Sequence, residues 1–286
     1  MSDNVRGLLW GLLAMVLFAL VLALVKTASA SYHVLQILFF RQVMVFLSTL
    51  PQIAGNFPHS MRTDQPGWHT LRIFGALTGL VCSVYAVALL PLTNAITLMF
   101  AQVFFTAILA AWLLREQVGP RRVAAIFVGF IGVVVAMRPG TESLFDAASL
   151  LAIGSALGAA FAVVSVRRLS QTESTATLLA YQSVFVGAAV ALPLPWIWVT
   201  PTIPDTLLLL TLGAVAVVAQ WVGIQALRLG EASVVSNLEY TKLVWGAILG
   251  WLLFREIPDQ WTLAGAAIIV SAALYIFHRE RRTTRP

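Results

Sequence analysis

The sequence predicts an all-α polytopic membrane protein in which ten transmembrane helices form two inverted five-helix repeats. Hydrophobic residues occupy 59% of the 286 positions and charged residues only 10%, whereas a soluble domain carries about 25% charged residues. Uncharged apolar runs of roughly 17–25 residues, the length that crosses a bilayer, recur along the whole chain. A shift of 140 positions also aligns parts of the two halves of the sequence.

The predicted spans follow the apolar runs in order. Hydrocarbon offers no partner to backbone N–H and C=O groups, so each run must pair them within itself as a helix. No small-residue cleavage site follows the first run, so we expect a retained helix and not a removed signal peptide. The spans are placed at residues 6–28, 34–53, 70–90, 92–114, 120–137, 147–166, 175–198, 205–228, 233–254 and 260–277.

The basic residues are distributed unevenly between the two sides of this predicted bundle. The N-terminus, the even-numbered connections and the C-terminal tail hold 13 of the 18 Lys and Arg residues, Arg72 among them, and the odd-numbered connections hold 3. By the positive-inside rule, both termini are predicted to be cytoplasmic, in the bacterial inner membrane. Because these charges orient helices in the lipid bilayer, the net charge of +6 does not indicate a nucleic-acid partner.

The internal repeat is clearest after the fourth and ninth predicted spans. A shift of 140 positions places Arg115-Glu116 on Arg255-Glu256. Each half holds five predicted spans, an odd number, so the second half must cross the membrane in the opposite sense. We therefore divide the chain into a first repeat, residues 1–140, and a second repeat, residues 141–286. Inverted repeats are typical of secondary transporters, whose substrate site lies near the midplane between the halves.

These motifs resemble the drug/metabolite transporter superfamily, specifically its ten-helix family with two EamA-type repeats. The resemblance covers nearly the whole chain and implies export or uptake of small metabolites. Many relatives have a proline in the middle of helices four and nine, where this chain has Gln102 and Lys242. The residues that carry the resemblance are Ala-Leu-Leu-Pro-Leu-Thr-Asn-Ala at 88–95, Leu-Leu-Arg-Glu at 113–116, and second copies at 226–233 and 253–256.

Three charged residues are predicted to lie inside the membrane: Arg41 in the second span, and Glu239 and Lys242 in the ninth. A charge at the centre of a membrane helix costs roughly 2.5–3.5 kcal/mol, and such residues usually face a cavity or a partner. Glu239 and Lys242 share one helical face, so one interpretation is an ion pair that stabilises the bundle. The other is a substrate site, in which Arg41 and Lys242 attract a carboxylate or phosphate and Glu239 is their counter-ion or a proton acceptor.

Aromatic and polar side chains near these charges complete the predicted substrate pathway. Some recur on one stripe of the ninth span, as expected of a wet path. Two tryptophans lie in mid-span, where an aromatic belt at the membrane surface does not account for them. Packing in the core or against lipid is the alternative for each aromatic residue. The pathway residues added on this basis are Ser236, Asn237, Tyr240, Trp245, Trp221, Gln102 and Tyr85.

The sequence contains no motif for catalysis, a metal or a cofactor. A phosphate-binding Gly-x-x-x-x-Gly-Lys-Ser/Thr loop is absent, so we expect no direct use of ATP. The four histidines lack a helical spacing suited to a metal, and a single cysteine, Cys82, cannot form an intramolecular disulfide. Four Gly-x-x-x-Gly pairs predict close helix packing within the monomer, with a homodimer as the alternative.

We therefore predict a secondary transporter that moves a small amphipathic metabolite by alternating access. Buried charges of both signs and aromatic walls suit an amino acid or a related zwitterion, and the family resemblance favours its export. The alternative is uptake or exchange of a larger metabolite, such as a nucleoside-like cofactor or a vitamin. Proton coupling through Glu239 is a further hypothesis. A membrane-embedded enzyme would need a cluster of acidic or histidine ligands, and a scaffold would need no buried charge.

Overall fold

Every regular element among the described residues is helical. In the computed structural model, the fifth predicted span, 120–137, lies largely outside the described residues. So does the first part of the ninth predicted span, residues 233–240. The structure describes residues 3–55, 57, 62–115, 124, 127–129, 131–132, 134–135, 146–229, 238 and 241–283.

Six helical stretches of the described chain are long and apolar enough to cross a membrane. They are Leu9–Ser29, Val34–Ala54, Pro66–Leu89, Leu92–Leu113, Ala147–Leu169 and Ile203–Leu229. The predicted number of ten transmembrane helices stays a prediction. The helices are α1 (Asp3–Ser29), α2 (Val34–Ala54), α3 (Pro66–Leu89), α4 (Leu92–Met99), α5 (Ala101–Leu113), α6 (Ala147–Leu169), α7 (Thr175–Ala191), α8 (Leu194–Ile197), α9 (Ile203–Leu229), α10 (Thr241–Phe254) and α11 (Gln260–Thr283).

Local signals in the sequence set several helix starts. His33 caps α2, because its Nδ1 accepts a hydrogen bond from Leu35 N at 3.3 Å. Ser174 caps α7, because its Oγ accepts one from Thr177 N at 3.1 Å. Pro66 begins α3, where the first N–H groups have no partner within the helix and a proline is therefore tolerated.

The fourth and seventh predicted spans differ from the observed helices, and the tenth, residues 260–277, is shorter than α11, which ends at Thr283. The fourth, residues 92–114, is divided at Phe100 into α4 and α5. The seventh, residues 175–198, was predicted too long, since α7 ends at Ala191. Pro193 follows two residues later, and a proline cannot continue the hydrogen-bond ladder of a helix.

Glycines bring α3 and α6 into backbone contact. A Cβ added at Gly75 would lie 2.7 Å from Gly158 O, and one added at Gly79 would lie 3.0 Å from Ala159 N. Only small residues permit helices to approach so closely. The Gly75–Gly79 pair thus packs within the monomer, as predicted, and joins a helix of the first half to a helix of the second. Elsewhere α1 packs against α9, α2 against α7 and α9, and α10 against α1 and α4.

Large apolar side chains remain exposed on the bundle, including Phe74 of α3, Leu207 of α9 and Trp251 of α10. Soluble monomers rarely expose apolar surface on this scale, whereas lipid accommodates it. Both the long apolar helices and this surface fit a multi-pass membrane protein.

Arg115 and Arg255, which the internal repeat aligns, share an unusual backbone conformation. Their φ angles are 57° and 55°, in the left-handed region that side chains disfavour. Each lies just after the end of a helix, α5 and α10 respectively. The same uncommon conformation at two aligned positions supports the repeat.

Candidate functional site

A buried chain of polar side chains crosses four helices. Arg72 Nη2 of α3 donates a 2.9 Å hydrogen bond to Gln182 Oε1 of α7, and Gln182 Nε2 donates one of 2.8 Å to Gln220 Oε1 of α9. Gln42 of α2 joins them, because its Nε2 donates to the backbone oxygen of Gln182 at 3.3 Å. We call these four residues the Arg72 cluster. None of them is more than 9% exposed.

Several polar atoms of this cluster have no hydrogen-bond partner among the described residues. They are Nε and Nη1 of Arg72, Nε2 of Gln220 and Oε1 of Gln42. Arg72 was counted with the connections in the sequence analysis, but it lies inside α3 and is 2% exposed. The positive-inside count therefore included a residue that the fold buries.

An acidic residue, Glu173, lies beside the Arg72 cluster. Its Oε2 is 2.6 Å from His69 Nε2, and its Oε1 accepts a 2.5 Å hydrogen bond from Thr63 Oγ1. Tyr181 packs on His69 with 4.2 Å between the ring centres. Glu173 also interacts electrostatically with Arg72, so its carboxylate balances part of the buried positive charge.

Helix ends gather around Glu173. Arg228, in the last turn of α9, donates from Nη2 to Glu173 O at 3.2 Å and to Thr175 Oγ1 at 3.1 Å. Arg167, in the last turn of α6, donates from Nη1 to Leu227 O at 3.2 Å. We call this part of the bundle the Glu173 end. It includes the start of α3 and α7 and the end of α6 and α9.

The structure describes two of the three predicted intramembrane charges. Arg41 in α2 is 5% exposed, and its Nε has no acceptor among the described residues. Lys242 in α10 has its Nζ 5.9 Å from the ring centre of Phe18 in α1, a cation–π distance. Pairing of Lys242 with its predicted partner in the ninth span stays a prediction. The predicted pathway residues outside the described chain are Ser236, Asn237, Glu239 and Tyr240.

The other predicted pathway residues occupy separate places. Gln102 is buried in α5, whereas Trp221 and Trp245 are 42% and 38% exposed. Tyr85 contacts the residue that caps α2, since its hydroxyl oxygen is 3.4 Å from His33 Nε2. The described contacts thus tie each residue to its own neighbours, and their joint role in a pathway stays a prediction.

A mainly apolar cavity of about 170 Å³ lies between α2, α7 and α9. Trp221 forms part of its wall and packs edge-to-face on Trp10, with 5.6 Å between the ring centres. Thr175, which accepts the hydrogen bond from Arg228, also lines it, so the cavity reaches the Glu173 end. The other lining residues are Ser48, Thr49, Gln52, Ala176, Leu179, Val217 and Val218.

An ion pair stabilises the opposite end of the bundle. Lys26 of α1 and Glu256, which follows α10, are 2.6 Å apart between Nζ and Oε1. Lys26 Nζ also donates to Leu90 O at 2.8 Å, and Leu92 N donates to Glu256 Oε2 at 2.8 Å. Three segments therefore meet there: the end of α1, the α3–α4 connection and the α10–α11 connection.

The sequence analysis did not single out Gln42, Arg72 or Gln220. A signal was present for Gln220, which is an isolated amide in the apolar stretch 212–224, whereas Gln42 directly follows Arg41. Glutamines carry no charge, so a search for intramembrane charges passes over them. Arg72 was missed for another reason: it lies so near the start of a predicted span that it was assigned to the connection.

The sequence profile of the EamA-like transporter family matches the chain twice, at residues 5–138 and 147–278, which confirms the resemblance seen in the motifs. The S-adenosylmethionine uptake transporter of Rickettsia prowazekii (strain Madrid E) is 29% identical over 99% of this chain and 96% of its own. The riboflavin transporter of Vibrio cholerae serotype O1 is 31% identical over 98% and 95%. The pseudopaline exporter of Pseudomonas aeruginosa (strain UCBPP-PA14) is 32% identical over 94% of each chain.

One solved crystal structure superposes on the chain with a TM-score of 0.72 at 19% identity, covering 98% of this chain and 99% of the other. The likeness shows the fold. The names of the family and of the relatives indicate a multi-pass membrane transporter of small molecules and not an enzyme.

Proposed function

We propose that this chain, which belongs to the EamA-like transporter family, is a secondary transporter that exports amino acids or related zwitterions by alternating access. The observation that carries the proposal is the burial of Arg41 and Arg72, at 5% and 2% exposure, in an apolar bundle. Membrane helices keep such residues where they face a cavity, a partner or a substrate pathway. A guanidinium group binds carboxylates well, and amino acids share a carboxylate.

The predicted pathway residues fit the same proposal. Arg41 and Lys242 supply positive charge, with Glu239 as their counter-ion or as a proton acceptor. Trp221 and Trp245 supply aromatic surface for the apolar part of a substrate. Charges of both signs beside aromatic surface suit a zwitterion with a side chain.

The proposed architecture has two five-helix halves, residues 1–140 and 141–286, in opposite orientations. The double match of the family profile supports the repeat, and so do the shared φ angles of Arg115 and Arg255. The distribution of Lys and Arg supports cytoplasmic termini, and the similarity to bacterial transporters supports a location in the bacterial inner membrane. In this orientation the Glu173 end faces the cytoplasm, and the Lys26–Glu256 pair faces outwards.

Uptake or exchange of a nucleoside-like cofactor or a vitamin is the second candidate. Two similar proteins are named for S-adenosylmethionine uptake and for riboflavin transport, which favours this candidate. The relative named as a pseudopaline exporter favours export. S-adenosylmethionine joins an amino-acid group to a nucleoside, so a site for an α-amino carboxylate would serve either candidate.

Flux from liposomes that contain the purified protein tests both candidates. Liposomes would be loaded with each proteinogenic L-amino acid, with S-adenosylmethionine or with riboflavin, and efflux compared with protein-free liposomes. Amino-acid export predicts efflux of at least one amino acid. Flux of S-adenosylmethionine or riboflavin without any amino-acid flux would select the second candidate.

Proton coupling is tested in the same liposomes with an imposed pH gradient. If Glu239 accepts the coupled proton, Glu239→Gln should abolish the dependence of flux on the gradient. Flux in Glu239→Gln that keeps the wild-type pH dependence would remove Glu239 from that role.

A further inference from the structure

The hydrogen bonds of the Arg72 cluster run in one direction. A guanidinium group donates but cannot accept, so the amide oxygen of Gln182 faces Arg72 and its Nε2 faces away. That Nε2 donates to Gln220 Oε1 at 2.8 Å. The Nε2 of Gln220 therefore points away from Gln182. The chain of bonds therefore ends in donors, because Nε and Nη1 of Arg72 and Nε2 of Gln220 have no acceptor among the described residues.

Three donors without an acceptor need an explanation at this depth. Arg72 is 2% exposed and Gln220 is 9% exposed, so bulk water does not reach them freely. An unsatisfied buried donor destabilises the folded state, and a charged donor does so more strongly. Glu173 does not satisfy them, since its described carboxylate hydrogen bonds go to His69 and Thr63 and none joins it to Arg72 or Gln220. Buried groups of this kind normally hold a ligand, an ion or an ordered water.

One acceptor lies in the same cluster. Gln42 Nε2 donates to the backbone oxygen of Gln182, which leaves its Oε1 without a donor among the described residues. The cluster thus offers several donors, two of them on a cation, and one acceptor. An α-amino carboxylate presents the complementary set, because it has two anionic oxygens and an ammonium group. A phosphate would use only the donors.

The depth of the cluster suits a substrate site. At 1.5 Å per residue, Arg72 lies about 9 Å from the first residue of α3, and Gln220 lies about 14 Å from the last residue of α9. Both of these helix termini belong to the Glu173 end. Since the hydrocarbon core is about 30 Å thick, the cluster lies between that end and the midplane.

We infer that the Arg72 cluster is the subsite for the α-amino carboxylate of the substrate. Arg72 and Gln220 donate to the carboxylate, and Gln42 Oε1 accepts from the ammonium group. This inference rests on the proposed function. It assigns to Arg72 the role of binding the substrate carboxylate, which the sequence analysis assigned to Arg41 and Lys242.

The test compares a transported amino acid with its own primary carboxamide. Arg72→Gln should raise the half-saturating concentration of the acid about 10- to 100-fold, the range expected for a lost charged hydrogen bond. It should raise the half-saturating concentration of the carboxamide much less, since that analogue offers Arg72 a neutral carbonyl oxygen and no anionic group. Arg168→Gln, at an exposed arginine in the last turn of α6, is the matched control and should change neither value.

A second variant tests the subsite while Arg72 stays in place. Gln220→Glu is nearly isosteric and adds a carboxylate that competes with the substrate for the free donors. It should raise the melting temperature and abolish transport of the acid. Unchanged transport of the acid in Gln220→Glu would overturn the inference.

The outcomes separate the subsite from the proposed function. Equal losses for the acid and its carboxamide in Arg72→Gln would show a structural role only, and would overturn the subsite while amino-acid transport stands. Wild-type protein that carries riboflavin but no amino acid and no S-adenosylmethionine would overturn the proposed function, and the subsite with it.

Discussion

Lys26 Nζ lies 2.6 Å from Glu256 Oε1, and this ion pair joins the end of α1 to the connection between α10 and α11. The two side chains are 16% and 22% exposed, so water and salt screen their attraction only in part. Backbone groups of Leu90 and Leu92 complete the arrangement. Charged groups, as well as apolar packing, therefore hold the end of the bundle opposite Glu173.

Lys26→Met should destabilise the end of the bundle that contains the Lys26–Glu256 ion pair. It removes the cation and leaves the Glu256 carboxylate with Leu92 N as its described partner. We expect a loss of roughly 1–3 kcal/mol in the free energy of unfolding, measured by thermal melting in detergent. A second measurement uses Asn94→Cys in a Cys82→Ser background. A maleimide that cannot cross the membrane should label this cysteine faster when Lys26→Met is present.

The matched control for this pair is Asp64→Asn, at an exposed acidic residue. It should change neither the melting temperature nor the labelling rate. In the double variant Lys26→Met/Glu256→Gln, part of the lost stability should return, because no unpaired charge remains. Strictly additive losses would mean that the two side chains do not stabilise each other.

Gly158→Ala should destabilise the bundle through the contact between α3 and α6. The new Cβ would meet Gly79 N and lie 2.8 Å from Gly75 O, and both are backbone atoms that cannot rotate away. Overpacking of this kind costs about 1–3 kcal/mol, which thermal melting can measure. Gly154→Ala is the control on the same helix, since its Cβ would lie 3.6 Å from Cys82 Sγ, an ordinary contact. Equal melting temperatures for the two variants would contradict this description of the helix contact.

Arg115→Gly and Arg255→Gly should each stabilise the protein. A residue with a side chain costs roughly 1–2 kcal/mol in the left-handed conformation, and glycine adopts it freely. Both arginines are exposed, so few side-chain contacts are lost. Higher melting temperatures for both glycine variants are expected, and a lower one for Arg255→Val. A fall in the glycine variants would show that the arginine side chains contribute more than the backbone conformation costs.

Glu173→Gln should strengthen binding of an acidic substrate. Glu173 interacts electrostatically with Arg72, so removing its charge raises the positive potential at the Arg72 cluster. We expect the half-saturating concentration of a transported amino acid to fall roughly two- to tenfold, with no such fall for its carboxamide, which keeps the ammonium charge and has no carboxylate. Weaker binding of the acid would mean that Glu173 organises the site and does not oppose the substrate.

Much of the fold could be predicted from the sequence because hydrocarbon imposes one rule on every span. A run such as residues 34–53 must be a helix, and the observed helix Val34–Ala54 agrees closely. The end of α7 at Ala191 was not predicted. The run beyond Pro193 is still apolar, and hydropathy contains no information about backbone geometry. Two prolines in close succession, Pro193 and Pro195, are the signal that would have placed this end, since α2 continues through the single Pro51.

The candidate site was harder to predict, because burial depends on which helices face each other. Arg41 was recognised as a buried charge, and the structure shows it 5% exposed. Gln182 and Gln220 meet across α7 and α9 at 2.8 Å, and no sequence period links two positions on different helices. Arg72 is buried by its neighbours in space, although hydropathy places it at the edge of a span.

The left-handed backbone conformation at Arg115 and Arg255 also restricts which residues can replace them in evolution. At positions 115 and 255 a β-branched residue would be strained, so substitutions among homologous sequences should favour glycine, asparagine and unbranched side chains over valine, isoleucine and threonine. The neighbouring apolar position Leu253, which is 55% exposed, should exchange among aliphatic residues more freely than Leu113, which packs against a buried apolar cluster. If one ancestral segment was duplicated, both copies have kept this backbone turn together with the Arg-Glu pair, and the two sites should still be under the same selection.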